Sequence, residues 1–243
     1  GLEKSPQGVH EFVSEIVQAT SDLVCAFKPN LAFYLTMGSQ GVDVLFALTQ
    51  KIGRELPIIL DGKFGDVTHS SERYAYFASE VIGADAVTLN PYIGRDGVKP
   101  FVEAGLGIFI LCATSNPSYG DVECLSVGDV LLYERVAEIV SSWSDEFGVR
   151  LGLVVGATHP EVFERIRRVA PNAPFLVPGV GAQGGELEAA VKFGFTTDGF
   201  PPLIVSARSI IYASSDENFA EAAREAAKKV REKINEIRQV NSR

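Results

Sequence analysis

Soft metal ligands and cations are both in short supply in this chain of 243 residues, which has three His, three Cys and one Met. Cys25, Cys112 and Cys124 show no metal-ligand spacing, and His10 and His159 have no metal-compatible neighbours, so no metal site is expected. Lys and Arg number 22 against 31 Asp and Glu, a formal net charge of -9. A general nucleic-acid or anionic-membrane binder needs clustered cations for counterion release, and this balance excludes one. No apolar run approaches the length of a membrane span, and no signal-peptide pattern opens the chain. Cys25 and Cys112 lie inside apolar runs, which predicts buried thiols in a reducing compartment. The expectation is a soluble, cytoplasmic protein.

With 46% hydrophobic residues, the chain has ample material for a core. Short, continuously apolar runs mark seven candidate strands: Leu23–Phe27, Pro57–Leu60, Ala86–Leu89, Gly107–Ala113, Leu151–Val155, Pro174–Val177 and Leu203–Val205. Continuous rather than alternating apolarity is the pattern of parallel strands covered on both faces. Helical periodicity fills the gaps, as in Val9, Phe12, Val13, Ile16 and Val17, or Val136, Ile139, Val140 and Trp143. An Ala-rich segment from Phe219 to about Ile237 has its charges spaced as a solvated helix face. Strands alternating with helices predict βα units. Polar loops follow the C-terminal ends of successive strands, which favours a (β/α)₈ TIM barrel over an open sheet with one switch point. No linker or composition shift divides the chain, so residues 1–243 are expected to be one domain. Seven strands are one short of eight, and the first strand of the barrel is expected to be absent from the chain.

The densest chemistry lies in Asp61-Gly62-Lys63-Phe64-Gly65-Asp66, directly after the apolar run that ends at Leu60. Residues i and i+2 of a strand share a face, so Asp61 and Lys63 project together, while Gly65 lets the chain bend before Asp66. Charges at the end of a buried strand pair with one another or do chemistry. A plain salt-bridged strand end is the alternative. Lys28 closes the first strand and sends a second ammonium to the same rim, unless it is simply exposed. Pro178-Gly179-Val180-Gly181-Ala182-Gln183-Gly184-Gly185 suits a phosphate cradled by backbone N–H groups, and Arg208 after the next strand can grip the same phosphate. Thr114-Ser115-Asn116 ends another strand with small hydrogen-bonding groups. His69 is read as a solvent-facing residue at a helix start.

On these motifs the chain resembles orotidine 5'-phosphate decarboxylase, in the longer branch of that family. The resemblance runs through Ala26-Phe27-Lys28-Pro29-Asn30, the Asp61–Asp66 segment, Leu89-Asn90-Pro91-Tyr92, Thr114-Ser115-Asn116-Pro117, Pro178–Gly185 and Ser209-Ile210-Ile211-Tyr212-Ala213. The Asp-x-Lys-x-x-Asp element is shared with related sugar-phosphate barrels; the Thr-Ser-Asn and Gln-Gly-Gly elements are more specific. The resemblance implies a homodimer that converts orotidine 5'-phosphate to UMP without metal or organic cofactor. It also implies roles: Lys63 as the acid that protonates C6, and Asp61 linking Lys63 and Lys28 in a charge chain. Asp66 would be contributed across the dimer interface, and Ser115 would meet the pyrimidine edge. Gln183 and Arg208 would hold phosphate, and Ser70, where the family usually has threonine, would meet the ribose. Asn90 and Pro178 complete the expected substrate-binding set. The family's first-strand aspartate, in a Leu-Asp-Pro-like turn, has no counterpart before Phe12. Two further readings stay open: a Mg²⁺-dependent relative of the keto-gulonate phosphate decarboxylase or hexulose phosphate synthase type, and a catalytically silent nucleotide-binding barrel.

Overall fold

The computed structural model describes residues 5–53, 55–180 and 184–241. Strands β1 (Ile59–Phe64), β2 (Ala86–Leu89) and β3 (Gly107–Ala113) precede a small antiparallel ribbon of β4 (Ser126–Val127) and β5 (Val130–Leu131). Strands β6 (Gly152–Val155), β7 (Phe175–Val177) and β8 (Leu203–Ile204) follow. Apart from the ribbon, all neighbours are parallel, in the order β1-β2-β3-β6-β7-β8. Six of the seven expected strands are therefore present.

The seventh is a correction. Leu23–Phe27 forms no strand of its own; only isolated parallel bridges, Phe27 to Ile58 and Asn30 to Asp61, join this segment to the sheet. Its ladder is real but short: Phe27 N donates to the Pro57 carbonyl, and Ile59 N and Asp61 N donate to the carbonyls of Phe27 and Pro29. Pro29 has no N–H to continue it, and the segment has a sheet neighbour on one side only among the described residues. The same edge position leaves Cys25 exposed, against the expectation of a buried thiol, whereas Cys112 on β3 is buried.

Helices cover the outer face: α1 (Pro6–Thr20), α2 (Leu31–Leu35), α3 (Ser39–Ile52), α4 (Thr68–Tyr76), α5 (Arg95–Glu103), α6 (Leu132–Phe147), α7 (Pro160–Val169), α8 (Gly184–Gly194), α9 (Arg208–Ile211) and α10 (Phe219–Asn241). They close a full ring. α3 packs on α1, α1 on α10, α10 on α8, and α8 on α7, while α6, α5 and α4 continue round to the 77–82 turn, which packs back on α3. A parallel sheet curled inside a closed ring of helices is the TIM-barrel arrangement.

Strand side chains alternate between two cores, because successive Cβ atoms point to opposite faces. Leu60, Val87, Ile110, Leu153, Phe175 and Val177 point outward into the large core beneath the helices. Ile59, Ala86, Val154 and Leu176 point inward and form a second, smaller cluster with Phe109, Leu111, Leu203 and Val205 packed against it. Gly152 has no side chain because the ring of Phe109 occupies that space; a Cβ there would lie 2.5 Å from it. This inward cluster fills the lower part of the lumen beneath its C-terminal mouth.

Candidate active site

The inward alternation that seats Ile59 in the lumen continues along β1 to Asp61 and Lys63. On β2 it runs from Ala86 to Thr88. Both strands therefore deliver an apolar residue to the inward cluster and polar residues to the layer above it. A cavity of about 430 Å³ opens on that upper layer. Leu111, Val154 and Leu176 form its apolar floor, Lys28, Asp61, Lys63 and Thr88 one wall, and Thr114, Ser115, Asn116, Glu123 and Pro178 the other. An apolar floor with convergent polar groups suits a flat ring with hydrogen-bonding edges.

Asp61 is the centre of the charged wall. Its side chain is only 8% exposed, yet Lys28 Nζ lies 2.6 Å from one carboxylate oxygen and Lys63 Nζ 2.6 Å from the other. Thr88 Oγ1 donates to Asp61 Oδ1 at 2.9 Å, and Asn30 Nδ2 makes a longer contact of 3.4 Å to Oδ2. Burial opposes ionisation of Asp61, but the two ammonium groups, Lys28 first and Lys63 with it, overcome that penalty and hold the carboxyl below its ordinary range. The lysines differ in access, with Lys28 16% and Lys63 48% exposed. Lys63 therefore presents a held ammonium to solvent-accessible space, and Lys28 braces the carboxylate from behind.

The backbone at Lys63 is strained. It is the one non-glycine residue with positive φ among those described, at 48°. Such a conformation in a lysine persists only where its surroundings impose it. Thr88 does so: Lys63 N donates to Thr88 Oγ1 at 2.9 Å, the same hydroxyl that donates to Asp61. One buried hydroxyl thus orients both members of the ion pair.

Across the cavity, Ser115 sits in a niche made by two glycines. A Cβ on Gly156 would lie 2.7 Å from the Ser115 backbone N, and one on Gly179, itself at φ +86°, would lie 3.2 Å from Ser115 Cβ. Neither position accepts a side chain while the three strand ends converge.

The remaining expected site residues lie elsewhere on this chain. Asp66 does not line the cavity; its Oδ1 accepts from Val67 N at 2.7 Å and its carbonyl from Ser71 Oγ at 2.8 Å. Ser70 lies on α4, half-buried and likewise outside the lining. Asn90 caps the 91–93 turn, with Oδ1 accepting from Tyr92 N at 2.9 Å. Arg208 begins α9 and is exposed at the end of β8. Gln183 lies outside the described residues. His69 is 94% exposed, as expected of a helix-start residue.

The model of the orotidine 5'-phosphate decarboxylase / HUMPS family matches residues 9–225. The chain belongs to this family. A curated relative from Thermomicrobium roseum, named orotidine 5'-phosphate decarboxylase, is 44% identical over 241 residues, covering 98% of this chain and 85% of its own. One of the same name from Dechloromonas aromatica is 46% identical over 231 residues, 93% of this chain and 84% of its own. The solved Leishmania donovani OMP decarboxylase superposes with a TM-score of 0.88 at 35% identity, covering 98% of this chain and 90% of that one. Leishmania donovani UMP synthase gives a TM-score of 0.89 at 38% identity, and there the match spans 97% of this chain but 51% of the other.

Within this decarboxylase-family barrel, reading the sequence missed Thr88 and Glu123. Thr88 carried a usable signal: it is the lone polar residue of the run Ala86–Leu89, and an inward position at Ala86 implies one two residues later. Glu123 carried none. It reaches the cavity only because the 117–131 excursion folds back over the end of β3.

Proposed function

We propose that this chain is a carboxy-lyase that converts orotidine 5'-phosphate to UMP in pyrimidine biosynthesis, with neither metal nor organic cofactor. The observation that carries the reading is the ammonium of Lys63, held 2.6 Å from a buried carboxylate in the wall of a cavity with an apolar floor. The bond from C6 to the carboxylate carbon breaks, its electron pair stays on C6, and CO₂ departs. Lys63 stabilises that charge as it develops and transfers a proton from Nζ to C6, then regains one from water. Such fixed charge needs no reorganisation at the moment of reaction, which makes it the chief source of rate enhancement in this site.

The other residues fit roles around this step. Asp61 and Lys28 hold Lys63 in place, Ser115 meets the pyrimidine edge, and Pro178 closes the ring pocket. Ser70 and Asn90 serve the ribose side, and Arg208 with Gln183 holds phosphate, whose binding energy far from C6 orients the ring. Two ammonium groups crowd Asp61, an electrostatic setting that disfavours a divalent cation and therefore the Mg²⁺-dependent alternative.

The active form is a homodimer in which Asp66 enters the partner's site. In support, Asp66 is not among the residues that line its own cavity, and its chain neighbour Val67 and the residues Tyr92 and Phe33 are exposed apolar side chains. Val67 is 59%, Tyr92 93% and Phe33 74% exposed. Large apolar side chains exposed to this degree suit coverage by a partner. Three free cysteines agree with a reducing, cytoplasmic setting.

The test follows orotidine 5'-phosphate absorbance with the parent, with Lys63→Ala and with Asp66→Ala, in the presence of a chelator. Lys63→Ala should lose at least about 10²–10⁴-fold in kcat and still bind UMP. Refolding the two inactive variants together yields dimers with one site free of both lesions, so roughly a quarter of normal sites should return for a two-fold symmetric pair. Tight UMP binding by the parent with no CO₂ release would favour the silent barrel instead.

A further inference from the structure

Glu123 lies in the cavity wall, and the proposed mechanism gives it no task. Its carboxylate spans one residue: Thr114 N donates to Oε2 at 2.7 Å, and Thr114 Oγ1 lies 2.6 Å from Oε1. Thr114 Oγ1 also lies 2.5 Å from Asn116 Oδ1. A hydroxyl has one proton and cannot donate to two oxygens. Turning the Asn116 amide end for end resolves the conflict, since its nitrogen and oxygen occupy equivalent places. Asn116 Nδ2 then donates to Thr114 Oγ1, Thr114 Oγ1 donates to Glu123, and the Ser118 hydroxyl, 3.1 Å from the amide, donates to Asn116 Oδ1. The chain of donors runs one way and ends on the carboxylate.

Glu123 is itself held firmly. Its N donates to the Tyr119 carbonyl at 2.9 Å, and its carbonyl accepts from Tyr133 N at 3.0 Å, where Tyr133 is 2% exposed. Thr114 and Asn116 flank Ser115 on either side. Ser115, wedged against Gly156 and Gly179, has its backbone clamped through both neighbours.

We propose that Glu123 is a positioning residue for the decarboxylation: it anchors the Thr114–Asn116 turn and so fixes the Ser115 hydroxyl on the pyrimidine edge. The proposal rests on the function given above. A charge-assisted hydrogen bond lost at this anchor implies that Glu123→Ala lowers kcat/KM by about 10- to 100-fold. Glu123→Gln should stay within a few-fold of the parent. Its amide can accept from Thr114 N and donate to Thr114 Oγ1, with the Asn116 amide turning back to accept the hydroxyl proton.

The experiment is a double-mutant cycle on the intact chain, with kcat/KM for orotidine 5'-phosphate measured for the parent, Glu123→Ala, Ser115→Ala and the double variant, and for Glu123→Gln. If Glu123 acts through Ser115, the double variant is no worse than Ser115→Ala. A general loss of packing would multiply the two single losses, and that result would overturn the proposal, as would Glu123→Gln proving as damaging as Glu123→Ala. Should Glu123→Ala fail to fold, Glu123→Gln paired with Ser115→Ala decides: its small loss must vanish in the Ser115→Ala background. A parent with no turnover would refute the proposed function, whereas an active parent with independent losses refutes only the role of Glu123.

Discussion

Replacing Thr88 by valine removes an oxygen and keeps the shape of a side chain that is 2% exposed. Two bonds go with that oxygen, one donated to Asp61 and one accepted from Lys63 N, each 2.9 Å long. Asp61 keeps Lys28 and Lys63, so it is not orphaned; a lost bond to a charged group is worth about 1.5–3 kcal/mol. The Lys63 amide loses a neutral partner, worth about 0.5–1.5 kcal/mol. Together these amount to roughly 2–4 kcal/mol, which at 2–4 °C per kcal/mol for a chain of this size lowers Tm by about 5–15 °C. The catalytic effect comes from the strained backbone. With the hydrogen bond that supports φ near 48° removed, Lys63 relaxes toward an ordinary extended conformation and its ammonium shifts against Asp61. A displacement of an ångström at a reacting group costs about 10²-fold, so kcat should fall by that order while UMP affinity changes little. Thr88→Ser keeps the hydroxyl and should keep most of both properties. Kinetics, UMP titration and thermal unfolding of the three proteins decide the matter. A Thr88→Val enzyme with full kcat and an unchanged Tm would show that neither Asp61 nor Lys63 depends on this hydroxyl.

Acid should remove the contribution of Asp61. Its carboxyl is held below the ordinary range in the folded state, so its stabilisation is complete above the usual Asp pKa of about 4 and is lost as pH falls through the lower folded value. The urea midpoints of parent and Asp61→Asn should converge on acidification, and a constant gap down to pH ~2 would contradict this. Arg208→Ala should raise KM for orotidine 5'-phosphate by about 10–10²-fold, as expected of a lost charged hydrogen bond, with phosphate-free orotidine turned over equally by both proteins. Equal damage with both substrates would assign Arg208 to something other than phosphate. Arg167 predicts a purely structural defect. Burial lowers its guanidinium pKa to about 10, while it donates to the carbonyls of Ala170, Pro171, Ala173 and Gly194 and lies 3.8 Å from the Phe175 ring centroid. Arg167→Lys cannot reproduce that fan of donors and should cost about 3 kcal/mol in chemical denaturation, with kcat of the folded fraction unaltered.

What the amino-acid sequence determined alone is whatever depends on near neighbours along the chain. Continuous apolar runs placed six of the sheet strands, and helical spacing placed α1, α6 and α10, because both signals are periodicities carried by a few consecutive residues. Strand alternation likewise paired Asp61 with Lys63 on one face, since two residues of extended chain suffice for that. The tertiary structure alone decided everything that required a partner far along the chain. Whether Leu23–Phe27 pairs as a strand depends on what lies beside it, and its composition does not encode that an edge and Pro29 reduce it to two bridges. Cys25 is as apolar in context as Cys112, yet one is exposed and the other buried for the same reason. Thr88 meets Asp61 across 27 residues; Lys28 meets it across 33, a pairing that the family resemblance implied and no local pattern did. Glu123 reaches Thr114 over only nine residues, but through an irregular excursion with no periodicity to read. The sequence named the charged pair; the fold chose the hydroxyl and the carboxylate that hold the site in register, because hydrogen bonds between distant segments follow from how the strands curl and not from any local pattern.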